Sequence, residues 1–214
     1  MTINWYGHSC FKITNQGGHL TIIIDPFDKK IGINPPRGNA DIALVSHDHS
    51  DHNNIKAISG DPFLIENPGE YEVKGITING ISSYHDSKKG EERGLSTIYL
   101  IKVDGIKICH MGDFGQERLS DSQLESIGQV DILMIPVGGN YTINGAQAAK
   151  IAKQIEPSVV IPMHYKIPGL NIDVVGSDEF LKEMGVNGIK PVDKLTLRKK
   201  ELSDKEMEVV LFKI

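Results

Sequence analysis

The sequence predicts an α/β fold in which two β-sheets pack face to face with helices outside. Three observations carry that expectation. Short apolar or alternating runs, each bounded by Gly, Pro, Asn or Asp, read as strands and recur along most of the chain. Two segments, 121–127 and 145–155, carry helical patterning, and the second is reinforced by Ala146, Ala148, Ala149 and Ala152. The chain also echoes itself. Ala40-Asp41-Ile42-Ala43-Leu44-Val45 resembles Val130-Asp131-Ile132-Leu133-Met134-Ile135 at a spacing of 90 positions, and the strand-ending Asp25 and Asp113 lie 88 apart. Similar spacings in the same order suggest two related βα halves facing one another.

The elements follow in order. Runs 9–14 and 20–24 flank Asn15-Gln16-Gly17-Gly18, a hairpin turn signal, and Asp25-Pro26 ends the second run because proline cannot continue a central ladder. A Gly/Pro-rich loop over about 28–39 leads to the apolar run 40–45, and 53–58 reads as a short helix. Runs 76–84, 96–103 and 106–110 are strand-like, the last following the Asp104-Gly105 turn. After the two helices, 158–162 reads as a buried strand, 177–184 as a further helix and 207–212 as a closing strand.

At 214 residues the chain has the length of one domain, taken as 1–214, with a substantial core. Hydrophobic residues at 39% and charged residues at 24% match a soluble globular protein. A net charge of −5 without a long basic face weighs against nucleic acid as a partner. The single basic run, Arg198-Lys199-Lys200, meets Glu201 at once and reads as a solvated turn. No apolar run approaches the roughly 18 residues of a membrane span. No basic-then-apolar leader is visible, so the expected location is the cytoplasm. Cys10 and Cys109 each sit in a strand-like stretch and read as reduced core residues.

The chemistry concentrates in His47-Asp48-His49-Ser50-Asp51-His52. Side chains two apart in an extended segment point the same way, so His47 and His49 can bind one cation together. If the chain then turns, Asp51 and His52 swing toward a second. Three further apolar runs end in a potential ligand: 81–84 leads into His85, 106–112 into Asp113, and 159–163 into His164. Any one of these alone would read as a polar strand cap. Together with the cluster they make seven donors, enough for two four- or five-coordinate ions.

These motifs resemble the metallo-β-lactamase superfamily. His47-Asp48-His49-Ser50-Asp51-His52, His85, Gly112-Asp113 and His164 match it in order, and Asp25 matches an earlier strand-end aspartate. Gly7-His8-Ser9-Cys10-Phe11, Pro68-Gly69-Glu70-Tyr71-Glu72-Val73, Gly138-Gly139-Asn140-Tyr141-Thr142 and Pro162-Met163-His164-Tyr165 are similar to a branch of small Zn-dependent hydrolases. That branch is itself similar to the ascorbate-6-phosphate lactonases and the N-acyl-phosphatidylethanolamine phospholipases. The resemblance implies a four-layer αββα sandwich. It further implies that His47, His49 and His85 bind one metal, that Asp51, His52 and His164 bind a second, and that Asp113 bridges them. Five imidazoles and two carboxylates suit zinc, and manganese or iron(II) also accept such ligands.

The implied reaction is hydrolysis of a small ester, lactone or phosphoester by a hydroxide between the two metals, with Asp51 ligating and accepting the nucleophile's proton. The inner shell would keep roughly one positive charge, which favours an anionic small-molecule substrate. Asp25 is a candidate to orient a ligand imidazole, with a turn-capping role beside it. His110 is a candidate proton donor to the leaving group, with a buried hydrogen-bonded role beside it. His8 reads as a structural strand-end residue, Tyr141 and Tyr165 as substrate contacts or packing, Arg93 as a solvated side chain and His19 as surface. Gly138-Gly139-Asn140 could offer backbone N–H groups to an anion. The alternatives are a nuclease of the same fold, a non-catalytic metal-binding or sensing module, and redox use of a di-iron centre. No flavin-binding domain accompanies the last. Oligomeric state is not encoded in any of these motifs.

Overall fold

Strands that are apolar at every position lie in the middle of two sheets, and strands that alternate lie toward the edges. The computed structural model describes residues 1–214. In chain order the elements are β1 (Thr2–Gly7), β2 (Cys10–Thr14), β3 (Thr21–Ile24), β4 (Ile42–Leu44), β5 (Phe63–Ile65), β6 (Gly69–Val73), β7 (Ile76–Tyr84), β8 (Leu95–Val103), β9 (Ile106–His110), α1 (Asp121–Ile127), β10 (Ile132–Pro136), α2 (Gly145–Ile155), β11 (Val159–Met163), α3 (Asp178–Glu183), β12 (Leu195–Thr196) and β13 (Glu208–Val209). The first sheet has the order β12-β1-β2-β3-β4-β5 and the second β13-β11-β10-β9-β8-β7-β6. β10 and β11 are buried at all five positions, as is the three-residue β4. β1 buries every second residue.

Parallel pairing is confined to the part of each sheet that carries the echo. β3-β4-β5 run parallel in the first sheet, and β9-β10-β11-β13 in the second. The repeated aspartates do the same work twice. Asp41 donates its N–H to the Thr21 carbonyl and accepts the Thr21 N–H on its carboxylate, both at 2.8 Å. Asp131 makes the same two contacts with Lys107, also at 2.8 Å. The two halves suggested by the sequence are thus hydrogen-bonded alike.

All three α-helices lie in the second sheet's connections or after its strand β11. Helices α1 and α2 each begin with a complete capping box, from Ser120/Gln123 and Asn144/Gln147. In the first sheet the corresponding connections contain only 3₁₀ turns, at Lys29–Ile31 and Ile55–Ala57. One helical layer of the sandwich is therefore reduced to single turns. The expected helix over 53–58 shortens to one of these. Its N-cap Asn54 makes no capping bond, and Ile58 is already extended at φ −94°, ψ 128°.

The sheets enclose one hydrophobic cluster of 58 buried residues. Two ties cross between them beside the later ligand positions. The Tyr99 hydroxyl of β8 lies 2.8 Å from the Val45 carbonyl, and Thr97 N–H donates to the Ser46 carbonyl at 2.8 Å. Four strands escape the sequence reading: β1, β5, β6 and the two-residue β12. β6 alternates exposed Glu70 and Glu72 with half-buried Tyr71 and Val73, as an edge strand does. The expected closing strand over 207–212 contracts to β13, with Phe212 forming only an isolated bridge to Val192. Cys10 and Cys109 are free and fully buried, and burial pushes the Cys109 thiol up to about 12. No helix is long and apolar enough to cross a membrane.

Candidate metal centre

Parallel strands deliver their following loops to one edge of a sheet, where ligands gather. Asp25 follows β3, the cluster from His47 to His52 follows β4, His85 follows β7, Asp113 follows β9 and His164 follows β11. The structure brings all seven expected ligand residues together at this edge. Asp113 Oδ2 is the hub. It lies 3.3 Å from Nε2 of His52, 3.3 Å from Nε2 of His85, 3.2 Å from Nε2 of His164 and 3.9 Å from Nε2 of His47.

Two donor groups flank the hub. On one side His47, His49 and His85 converge, with His47 Nε2 3.0 Å from His49 Nδ1. On the other, Asp51 Oδ2 sits 3.5 Å from His52 Nε2, with His164 in the same group. The hydrogen bonds behind the rings fix the tautomers. Asp25 Oδ2 accepts from His52 Nδ1 at 3.1 Å and from the Ser46 hydroxyl at 2.8 Å. That hydroxyl has spent its proton, so it accepts from His47 Nδ1 at 2.9 Å. Both Nε2 lone pairs are thereby turned inward, and Asp25 takes the orienting role rather than only a turn cap.

The donor set fits divalent cations. Burial, then the neighbouring His52, pushes His47 down to about 3, which leaves a neutral ring with a lone pair to give. Burial opposes charge on His52, but Asp113, Asp25 and Asp51 outweigh it and raise its proton affinity. The same field that holds a proton there attracts a metal. Burial alone would push the Asp113 carboxyl up, yet His164 and His52 hold it well below the usual carboxylate range. Its Oδ1 is buried without a hydrogen-bond partner, an orphan acceptor at the centre of the cluster.

The backbone is strained at the same edge. Asp25, His8 and His164 have φ of 46°, 54° and 52°, in the left-handed region that side chains rarely adopt. Gly112, at φ 54°, permits the turn into Asp113. A Cβ there would meet Ser96 Oγ at 2.7 Å and Ser46 Cβ at 2.8 Å.

Several sequence expectations change. His8 is a member of the cluster: its Nε2 lies 3.1 Å from both Asp51 Oδ2 and His52 Nε2, and its ring centroid 4.2 Å from that of His164. His110 is not brought to the cavity wall. Its Nε2 donates to the Ser9 carbonyl at 3.0 Å and its Nδ1 accepts the Gly112 N–H at 3.2 Å, so neither nitrogen is free to protonate a leaving group. In the Gly138–Asn140 turn the Gly139 N–H donates to the Ile143 carbonyl at 3.2 Å, so that group is not offered to an anion, and the Gly139 carbonyl accepts from Tyr141 and Thr142. Tyr165 is buried with its ring 5.2 Å from Trp5, and it packs.

A cavity of about 470 Å³ opens over the cluster, lined by His49, Asp51, His85, Asp113 and His164 on its floor side. Its remaining lining residues are Arg93, Tyr141, Asn171, Ile172 and Asp173. Arg93 is therefore a cavity residue and not simply solvated. Neither its role nor that of 171–173 carries a sequence signal, because both depend on loops from distant strands of the second sheet meeting over the cavity.

Residues 2–164 match the family model described as a beta-lactamase superfamily domain. A UPF0173 metal-dependent hydrolase of Methanosphaera stadtmanae is 33% identical, over 81% of this chain and 88% of its own. That of Thermococcus kodakarensis is 31% identical, over 76% and 84%. The chain belongs to the metallo-β-lactamase superfamily and, within it, to the UPF0173 metal-dependent hydrolases. A crystal structure from Thermotoga maritima, assigned to the Zn-dependent hydrolases of the same superfamily, superposes with a TM-score of 0.80. It is 36% identical, covering 99% of this chain and 97% of that one. The superfamily's α/β sandwich is thus the fold of this chain, with its cluster of histidines and aspartates at the sheet edge.

Proposed function

We propose that this member is a dinuclear hydrolase of a small ester, lactone or phosphoester. The observation that carries the proposal is the position of Asp113 Oδ2, within 3.3 Å of imidazole nitrogens from three different loops and between two separate donor groups. His47, His49 and His85 would hold one ion, Asp51, His52 and His164 the other, and Asp113 would serve both. Two bound divalent ions, zinc foremost with manganese or iron(II) as alternatives, supply Lewis acidity and lower the pKa of water.

The chain's own residues do the rest. Asp25 and Ser46 keep the His47 and His52 lone pairs aimed at the centre. Asp51, with its side chain one-quarter exposed at the cavity, is placed to accept the nucleophile's proton on Oδ2. Burial pushes its carboxyl up, but His52 and His8 outweigh that and keep it ionised. A cavity of about 470 Å³ suits a small molecule. It carries one arginine and no basic track, which supports a small substrate over a nucleic acid. The buried free thiols Cys10 and Cys109 support a reducing, cytoplasmic setting.

The test is metal content and turnover together. Metal-stripped protein reloaded with Zn²⁺, Mn²⁺ or Fe²⁺ should bind two ions per chain. The loaded protein should then hydrolyse 4-nitrophenyl esters or bis-4-nitrophenyl phosphate. Asp51→Asn should abolish turnover with an unchanged circular dichroism spectrum. One ion per chain would sink the dinuclear reading. Two ions with no turnover across a broad panel would favour a sensing module.

A further inference from the structure

We propose that Arg93 and Tyr141 form an oxyanion subsite at the cavity rim, so that the substrate carries a terminal carboxylate or phosphate set apart from the bond that is cleaved. This rests on the reading of the cavity as a hydrolase's substrate site. The guanidinium carbon of Arg93 lies 5.5 Å from the centroid of the Tyr141 ring. Stacking against an aromatic face holds the planar fork in place while its N–H edge stays available. That edge is uncommitted, since the guanidinium makes no hydrogen bond within the protein. Its nearest anion is Glu92 Oε2 at 3.6 Å, and Glu92 is drawn the other way by Lys88, whose Nζ lies 2.6 Å from Oε1. A bidentate donor held ready, with no hydrogen bond of its own and only a loose ion pair to displace, is what a carboxylate or phosphate requires.

The loop that carries Arg93 is built to hold it there. The Asp86 carboxylate, next to His85, accepts backbone N–H groups from Lys88 at 2.8 Å, Gly90 at 2.9 Å, Glu92 at 3.1 Å and Arg93 at 2.8 Å. The facing turn is pinned as well, by Asn140 Nδ2 donating to the Asp173 carbonyl at 2.7 Å. Two loops from different strand ends thus present one cation and one ring to each other across the cavity. Arg93 is the only lysine or arginine in the lining. The Asp173 carboxylate on the same wall disfavours an anion beside it and confines one to the Arg93 side. The Tyr141 ring and Ile172 offer apolar surface for a short carbon spacer.

The experiment uses the metal-loaded full chain and three esters that share a four-carbon acyl spine: 4-nitrophenyl butyrate, 4-nitrophenyl hemiglutarate, which adds a terminal carboxylate, and 4-nitrophenyl 4-phosphonobutyrate. Wild type should show a KM for at least one anionic ester about tenfold below that for butyrate, and the larger preference distinguishes carboxylate from phosphate. Arg93→Gln should erase the preference and Arg93→Lys should retain part of it. Lys89→Gln, which removes an equal charge from the same loop and leaves the Lys88–Glu92 pair in place, should leave the preference intact. A preference equal in wild type and Arg93→Gln, or none in wild type, overturns the proposal. If no ester is hydrolysed, the hydrolase reading fails separately. Calorimetric titration with glutarate and inorganic phosphate then decides the subsite. About tenfold weaker binding to Arg93→Gln supports it, and equal binding overturns it.

Discussion

His8 shows how a site residue can read as structural in a sequence. It stands 39 positions before the nearest histidine of the cluster, at the end of a strand, and the motif Gly7-His8-Ser9-Cys10-Phe11 does not by itself tell a cage residue from a strand-end one. Its position arises from a left-handed backbone and from a bond in which His164 N–H donates to the His8 carbonyl at 3.0 Å. Its ring then closes the cage around Asp51 and His52. We predict that His8→Ala weakens the second metal equivalent by about 10- to 100-fold and spares the first. Competition with a colorimetric chelator measures both, and equal affinities in variant and wild type would refute it. Gly112 sets a steric limit on the same edge. Gly112→Ala must place a methyl against Ser46 and Ser96 at positive φ. The expected loss is about 2 kcal/mol or more of stability, read by urea denaturation. His47 to His52 was legible because neighbouring candidate donors lie in one short segment. His85, Asp113 and His164 were legible because each ends an apolar run. Arg93, Ser46 and His8 were not, since their roles come from chain segments that meet only after folding.

At the scale of elements, the echo between the halves was readable and the edges were not. Asp41 and Asp131 begin equivalent strands and bond to the preceding parallel strand through the same pair of contacts. Short or charged strands such as β5 and β6 give little periodic signal and are defined by their pairing partners. Asp41 also receives Lys74 Nζ at 2.5 Å from the β6–β7 turn, which ties the first sheet to the second. That lysine, then the Thr21 N–H, holds its carboxyl below the usual range. A depressed carboxyl pKa adds stability above the unfolded-state value and loses it as pH falls through the folded one. Asp41→Asn should therefore flatten the acid limb of stability below about pH 4, and a denaturation series at several pH values would show it. The Asp86 loop gives a second expectation. Asp86→Ala removes the acceptor of four backbone N–H groups. Hydrogen exchange at residues 88–93 should accelerate while the central strands keep their protection. Unchanged exchange in that loop would mean that its conformation does not depend on the carboxylate.

At the scale of the molecule, the cluster is a seam between sheets. The loops after β4 bring His47, His49, Asp51 and His52 from the first sheet. The second sheet brings His85, Asp113 and His164 from the ends of β7, β9 and β11. Seven donors from two sheets thus surround a space that metal would occupy, above a single core of 58 buried residues. Binding there stabilises only the arrangement in which both sheets are docked, because neither alone carries a full set. With free metal at a hundredfold excess over Kd, a single site adds about 2.7 kcal/mol. For a chain of this size that corresponds to a rise in Tm of roughly 5–10 °C. We expect one cooperative transition, in keeping with 1–214 as one domain, that moves down as a whole when a chelator strips the metal. Scanning calorimetry with and without EDTA reads this directly. Two separated transitions, or chelation that shifts only part of the heat absorption, would show that the sheets unfold independently and that the metal does not join them.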